Sequence, residues 1–111
     1  MKKLVLLTFL AFLPVAAVAQ TASPFTAHAL KKMCDSRYDI DVGICAGYIT
    51  AIAEMVQQES SPGRRVCLSP AISPQTLMDH VQKYWAANPP AAQDLASFNV
   101  DLALRDRFKC P

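Results

Sequence analysis

DVGICAGYITAIAEMVQQE, residues Asp41 to Glu59, is the stretch around which the rest of the chain is organised. Its Cys45, Tyr48, Ile49, Ile52, Met55 and Val56 recur at i, i+3, i+4 and i+7, the spacing that puts apolar side chains on one face of a helix. A central helix of about five turns follows. Gly43 and Gly47 each lower helix propensity by up to ~1 kcal/mol, so their presence predicts a second helix crossing closely at that turn. The plainer reading is a helix start that tolerates glycine.

Upstream, the first nineteen residues read as an address. Lys2 and Lys3 make a positive n-region, Leu4 to Val15 an apolar h-region short for a bilayer span, and Ala17-Val18-Ala19 a small-residue cleavage site before Gln20. An uncleaved anchor is the weaker reading, because nothing lengthens the apolar run and no lipobox cysteine follows it. The expected division is therefore a signal peptide over 1–19 and one helical domain over 20–111, located in the periplasm. Cleavage removes two of the eleven Lys and Arg and leaves nine basic against nine acidic side chains. That balance argues against a nucleic-acid partner, and against a membrane partner once the signal is gone.

A domain of 92 residues is near the size at which a hydrophobic core alone stabilises only marginally. Cys34, Cys45, Cys67 and Cys110 all lie in the exported part, and an even count in a small exported chain reads as two disulfides. A zinc site is the rival, but the spacing contains no C-x-x-C or H-x-x-x-H pair. No metal or cofactor is expected.

The remaining helices follow from caps and breakers. Phe25 to Cys34 forms a first helix with Thr26 as N-cap and Leu30, Met33 and Cys34 inward. Asp35 to Asp41 is a polar connection whose Asp39 and Asp41 favour the start of the central helix. The central helix ends near Gln58, before the turn chemistry of Ser60-Ser61-Pro62-Gly63. Ser73-Pro74 starts a third helix, with serine as N-cap, proline at N1 and Ile72 stapled onto Leu77. Leu77, Met78, Val81, Tyr84 and Trp85 give it an apolar face, and Asn88-Pro89-Pro90 ends it. A fourth helix is predicted from about Ala91 to Phe108, with Leu95, Phe98 and Leu102 on one stripe and Ala96, Val100 and Ala103 beside it. No strand pattern of convincing length occurs. The fold class is all-α: a small antiparallel four-helix bundle stapled by two disulfides.

Antiparallel neighbours decide the disulfide pairing. The end of the first helix meets the start of the second, which brings Cys34 to Cys45. The start of the third and the end of the fourth bring Cys67 to Cys110. A Cys45 to Cys67 bridge would join opposite ends of the central helix, roughly 20 Å apart, whereas bridged Cα atoms lie about 6 Å apart.

Catalysis finds little support. His28 and His80 are the only histidines, no Gly-x-Ser-x-Gly or Gly-rich phosphate loop occurs, and the cysteines are committed to bridges. Glu54 lies off the apolar stripe and reads as a solvated residue. Binding is the better class.

Gly43-Ile44-Cys45-Ala46-Gly47-Tyr48-Ile49, Cys67-Leu68-Ser69-Pro70, Gln75, Tyr84-Trp85-Ala86-Ala87-Asn88-Pro89, and the closing Ala103-Leu104 with Phe108-Lys109-Cys110-Pro111 together resemble the Rap/Tai immunity-protein family. The resemblance spans nearly the whole exported chain. It departs at Lys109, where the family commonly has proline, and at Glu54, an acidic residue that comes later than the family's. The resemblance implies a periplasmic helical protein that neutralises a peptidoglycan-cleaving amidase toxin delivered by a type VI secretion system. A homodimer is a further partner compatible with it. The alternative is a small periplasmic acid-stress chaperone or another secreted helical binding protein; few histidines and two bridges weigh against acid-triggered unfolding. The adaptable surface is the polar connections, and the most exposed is the turn carrying Glu59, Ser60, Ser61, Arg64 and Arg65, where Pro62 and Gly63 fix a tight tip.

Overall fold

The computed structural model describes residues 24–59 and 61–111. The signal segment expected over 1–19 lies outside them, as does Ser60. Four helices follow in order: α1 Ala27–Cys34, α2 Asp39–Gln57, α3 Pro74–Ala87 and α4 Ala96–Arg107. No helix among the described residues is long and apolar enough to cross a membrane.

Local chemistry sets most boundaries. Thr26 caps α1, its hydroxyl accepting the Ala29 N–H at 3.2 Å. Ser73 caps α3 in the same way from Thr76, with Pro74 in the first turn, as expected. Tyr38 begins α2 without a side-chain cap; Asp39 and Asp41 stand in its first turn instead, and Asp41 accepts from the Ser36 hydroxyl at 2.6 Å. Two short backbone pairings tie loops to the bundle. Thr26 pairs with Leu95, through Ala27 N–H to Asp94 O at 2.8 Å and Ala96 N–H to Phe25 O at 3.0 Å. Val66 pairs with Lys109, through Cys67 N–H to Phe108 O at 2.9 Å.

Every helix contacts every other, with α2 packed on both α1 and α3 and α4 reaching back to α1 and α2. Trp85, Leu30, Ile49 and Leu104 are the largest fully buried side chains. The Trp85 indole N–H has no acceptor among the described residues, so this side chain contributes packing alone. Gln82 links α3 to the end of α1 by donating to Cys34 O and to Asp35 Oδ1, both at 3.2 Å. Both predicted disulfides are present, Cys34 to Cys45 with Cα atoms 5.1 Å apart and Cys67 to Cys110 with Cα atoms 4.9 Å apart.

The structure departs from expectation at four points. Gly43 and Gly47 are exposed, and a Cβ built on either meets nothing within 4 Å, so no helix crosses closely there. Two residues along a helix is about 200° of rotation; both glycines therefore sit opposite Cys45 and Ile49. The buried stripe of α2 is Cys45, Ile49, Ala53 and Val56, rotated toward Ala53 and away from Met55, which is 67% exposed. Helix α4 starts at Ala96 rather than Ala91, because Asp94 closes a turn by accepting the Ala91 N–H at 2.9 Å and the pairing with Thr26 keeps Leu95 extended. Its inward face is Ala96, Asn99, Val100, Ala103 and Leu104, whereas Leu95, Phe98 and Leu102 face outward.

Candidate functional site

The turn after α2 is built by three residues in sequence. Glu59 accepts the Ser61 N–H on Oε1 at 3.1 Å, and the Arg64 N–H donates to Ser61 O at 3.2 Å, closing a turn over Pro62 and Gly63. Gly63 has φ +75°, the left-handed region that a side chain disfavours, and Pro62 fixes the preceding residue, the pattern of a type II turn. Hydrogen bonding from the Ser61 side chain and backbone holds the Glu59 carboxyl below the ordinary carboxylate range, and the Arg64 and Arg105 charges act the same way. The turn therefore projects a fixed carboxylate beside Arg64 and Arg65, both exposed.

Of the residues expected to bind a partner, Glu59, Ser61, Arg64 and Arg65 all lie in this one turn; Ser60 falls outside the described residues. The four cysteines lie in the staples and none is free.

Two neighbouring features escape a reading of the sequence. The first is a groove of about 540 Å³ between α2 and α4, lined by Ile52, Met55 and Phe98 with Glu59 at its rim. Met55 and Phe98 are 67% and 58% exposed, so the groove has apolar lips. Arg105 lies in it with Asp101: Nε sits 2.8 Å from Oδ1 but donates its directed hydrogen bond to Oδ2 at 3.0 Å. Oδ1 and the guanidinium Nη1 are buried without a hydrogen-bond partner among the described residues. Met55 and Phe98 are the signal for this groove in the sequence, two large apolar residues that the bundle leaves exposed. The second feature is the set of basic residues around the Cys67 to Cys110 staple. Arg65 and Lys109, far apart in sequence, line one cleft because Val66 pairs with Lys109. Only the bridge could have hinted at that neighbourhood.

No group of His, Cys, Asp and Glu able to hold a metal occurs among the described residues. No curated protein and no solved structure matches the chain. The family model of Rap1a immunity proteins matches residues 26–110, which runs from the Thr26 cap of α1 to the last staple cysteine, and the protein belongs to that family.

Proposed function

We propose that the protein is a periplasmic immunity protein that binds a secreted peptidoglycan amidase of a type VI secretion system and blocks it with the Glu59–Arg65 turn. The observation that carries this reading is the match to Rap1a immunity proteins across all four helices. The architecture is consistent with it. Two bridges and short, capped helices hold the turn in one shape, so little conformational freedom is lost on binding. A protruding tip fits the groove in which an amidase with a Cys/His centre would hold its substrate.

The test uses the protein recovered from the periplasm and the secreted product of the neighbouring gene. The wild-type chain is expected to bind it with nanomolar affinity and to stop peptidoglycan cleavage. Arg64→Ala with Arg65→Ala is expected to weaken binding by more than about 1.4 kcal/mol, or roughly tenfold, with an unchanged helical circular-dichroism signal. Full protection by the double variant discards the turn as the contact. No binding by the wild-type chain to any amidase toxin of the same genome discards the immunity role.

A further inference from the structure

Nine Lys and Arg follow residue 19, and they are unevenly placed. Among the described residues only two form ion pairs, Lys31 with Asp35 and Arg105 with Asp101. The other seven, Lys32, Arg37, Arg64, Arg65, Lys83, Arg107 and Lys109, have no such partner among the described residues, and all are exposed; Lys32 stands on α1 and Arg37 between α1 and α2. Five of the seven, Arg64, Arg65, Lys83, Arg107 and Lys109, line or adjoin two clefts that the end of α4 supplies with Arg107 and Lys109.

The chain leaves α4 through Arg107, Phe108 and Lys109, and each side chain goes to a different place. Phe108 is half-buried and packs against the edge of the His80 ring, with centroids 5.1 Å apart. Arg107 lies with His80, Lys83 and Tyr84 in a cleft of about 430 Å³ between α3 and α4. Lys109 joins Arg65 in a second cleft of about 380 Å³ closed by Cys110 and Pro111. The Val66 to Lys109 pairing sets the two cleft walls side by side, and Arg64 adjoins them on the turn. Among the described residues, Asp106 is the one carboxylate side chain lining either cleft.

We propose that this strip, Arg65, Lys109, Arg107 and Lys83, is a docking surface for an acidic face of the protein partner. The proposal rests on the immunity reading above and extends it from the turn to the adjoining pole. A domain that sets five of its seven unpaired cations in or beside two clefts is organised for orientation, since complementary charge speeds encounter and suppresses wrong partners. His80 reports the same field: burial lowers its pKa, and the neighbouring Arg107 and Lys83 charges lower it further against the opposing effect of Asp79. An anion seated between Lys83 and Arg107 would offset the part of that depression that their charges cause.

The experiment measures association of the periplasmic protein with two probes, the toxin encoded by the neighbouring gene and poly-L-glutamate, for the wild type and for Lys83→Glu and Lys109→Glu. Both substitutions are at exposed side chains, so folding is unaffected and far-UV circular dichroism checks it. The expected result is an association rate with toxin that falls as salt is raised and drops about tenfold in the double variant, with dissociation little changed. Poly-L-glutamate should raise the pKa of His80, read by its ring NMR resonances, in the wild type only. Toxin association that is indifferent to both substitutions and to salt overturns the strip while leaving the immunity reading intact. A wild type that binds poly-L-glutamate through the strip but does not bind toxin overturns the immunity reading alone. Tighter capture by vesicles of equal parts phosphatidylglycerol and phosphatidylcholine than by toxin, abolished by the same substitutions, would assign the strip to a membrane and overturn the proposal.

Discussion

The two staples do different physical work, the first joining two helices and the second joining two segments outside the helices. Cys34 and Cys45 are 6% and 0% exposed and belong to the hydrophobic core, next to Leu30 and Ile49. Cys67 is exposed and Cys110 only half-buried, and they close a loop of 43 residues in sequence against 11 for the first pair. The first staple is a packing element that happens to be covalent. The second is a clasp, holding the segment after the turn to the segment after α4 at the edge of the core, beside buried Val66 and half-buried Phe108. The candidate partner surface lies wholly on the side of the clasp.

The largest expected effects follow from that contrast. Loop closure alone assigns about 4 kcal/mol to the second staple and about 3 kcal/mol to the first. Cys34→Ala with Cys45→Ala also empties two buried positions, adding on the order of 1 kcal/mol. The two double variants should therefore unfold at similar urea concentrations despite their different loop lengths. A first-staple variant markedly more stable than the other would mean that its sulfurs pack loosely. Access should separate them instead: a mild thiol reductant, followed by alkylation and peptide mapping, should label Cys67 and Cys110 before Cys34 and Cys45. Simultaneous labelling would erase the distinction.

The glycines sharpen it at a smaller scale. Gly63 on the clasp side needs its positive φ, so Gly63→Ala should cost about 1 kcal/mol although the space around it is open. Gly47 sits in the helix beside the buried staple with open space around it and no such requirement. Gly47→Ala should therefore stabilise by up to ~1 kcal/mol. Thermal unfolding of both variants gives the two signs. Loss of stability in Gly47→Ala would point to a contact on that face that the isolated chain does not make.

Where the chain punctuates itself, its structure could be read in advance. Ser73-Pro74 and Asn88-Pro89 bracket α3 to the residue, and Thr26 marks α1. Helix length is a hard constraint: it keeps Cys45 from Cys67, and the bridges are Cys34 to Cys45 and Cys67 to Cys110. Helix α4 was less legible for two reasons. Its start depends on a tertiary pairing, Thr26 with Leu95, that no local signal announces. Its inward face is Ala96, Asn99, Val100, Ala103 and Leu104, while Phe98 and Leu102 are large and outward, so side-chain bulk does not mark the buried side of this helix. The α2 glycines were legible in principle, since their half-turn offset from Cys45 and Ile49 already placed them outside. Of the candidate site, the turn could be foreseen from Pro62-Gly63, whereas the company of Lys109 and Arg65 follows only through the Cys67 to Cys110 bridge, which brings together residues far apart in the chain.

The smallest effect concerns pH, and it again divides the two sides. His80, on the clasp side, has its pKa pushed below the ordinary histidine value of 6.5 by burial against Phe108, then by Arg107 and Lys83. A histidine whose pKa is lower folded than unfolded binds fewer protons in the fold, so stability is unaffected above about pH 6.5 and declines as pH falls through that value toward the folded pKa. The sign is opposite to that of a histidine held by a carboxylate. Replacing it by His80→Gln should flatten the stability curve between neutral pH and about pH 5 while leaving the value at pH 8 nearly unchanged. Glu59 acts lower and in its own window: its depressed pKa keeps the Ser61 bond formed above about pH 4.5, and the turn loosens as pH falls below that. Neither group reaches the side of the buried staple, whose cysteines do not titrate. Acid should therefore loosen the turn and the clasp before the core, and the oxidised protein should keep most of its helical signal near pH 3 without acquiring the ability to suppress aggregation of other proteins. A cooperative loss of helix in that range, accompanied by such activity, would show that the core and not the clasp is the acid-sensitive part, and would move the function toward that of a chaperone.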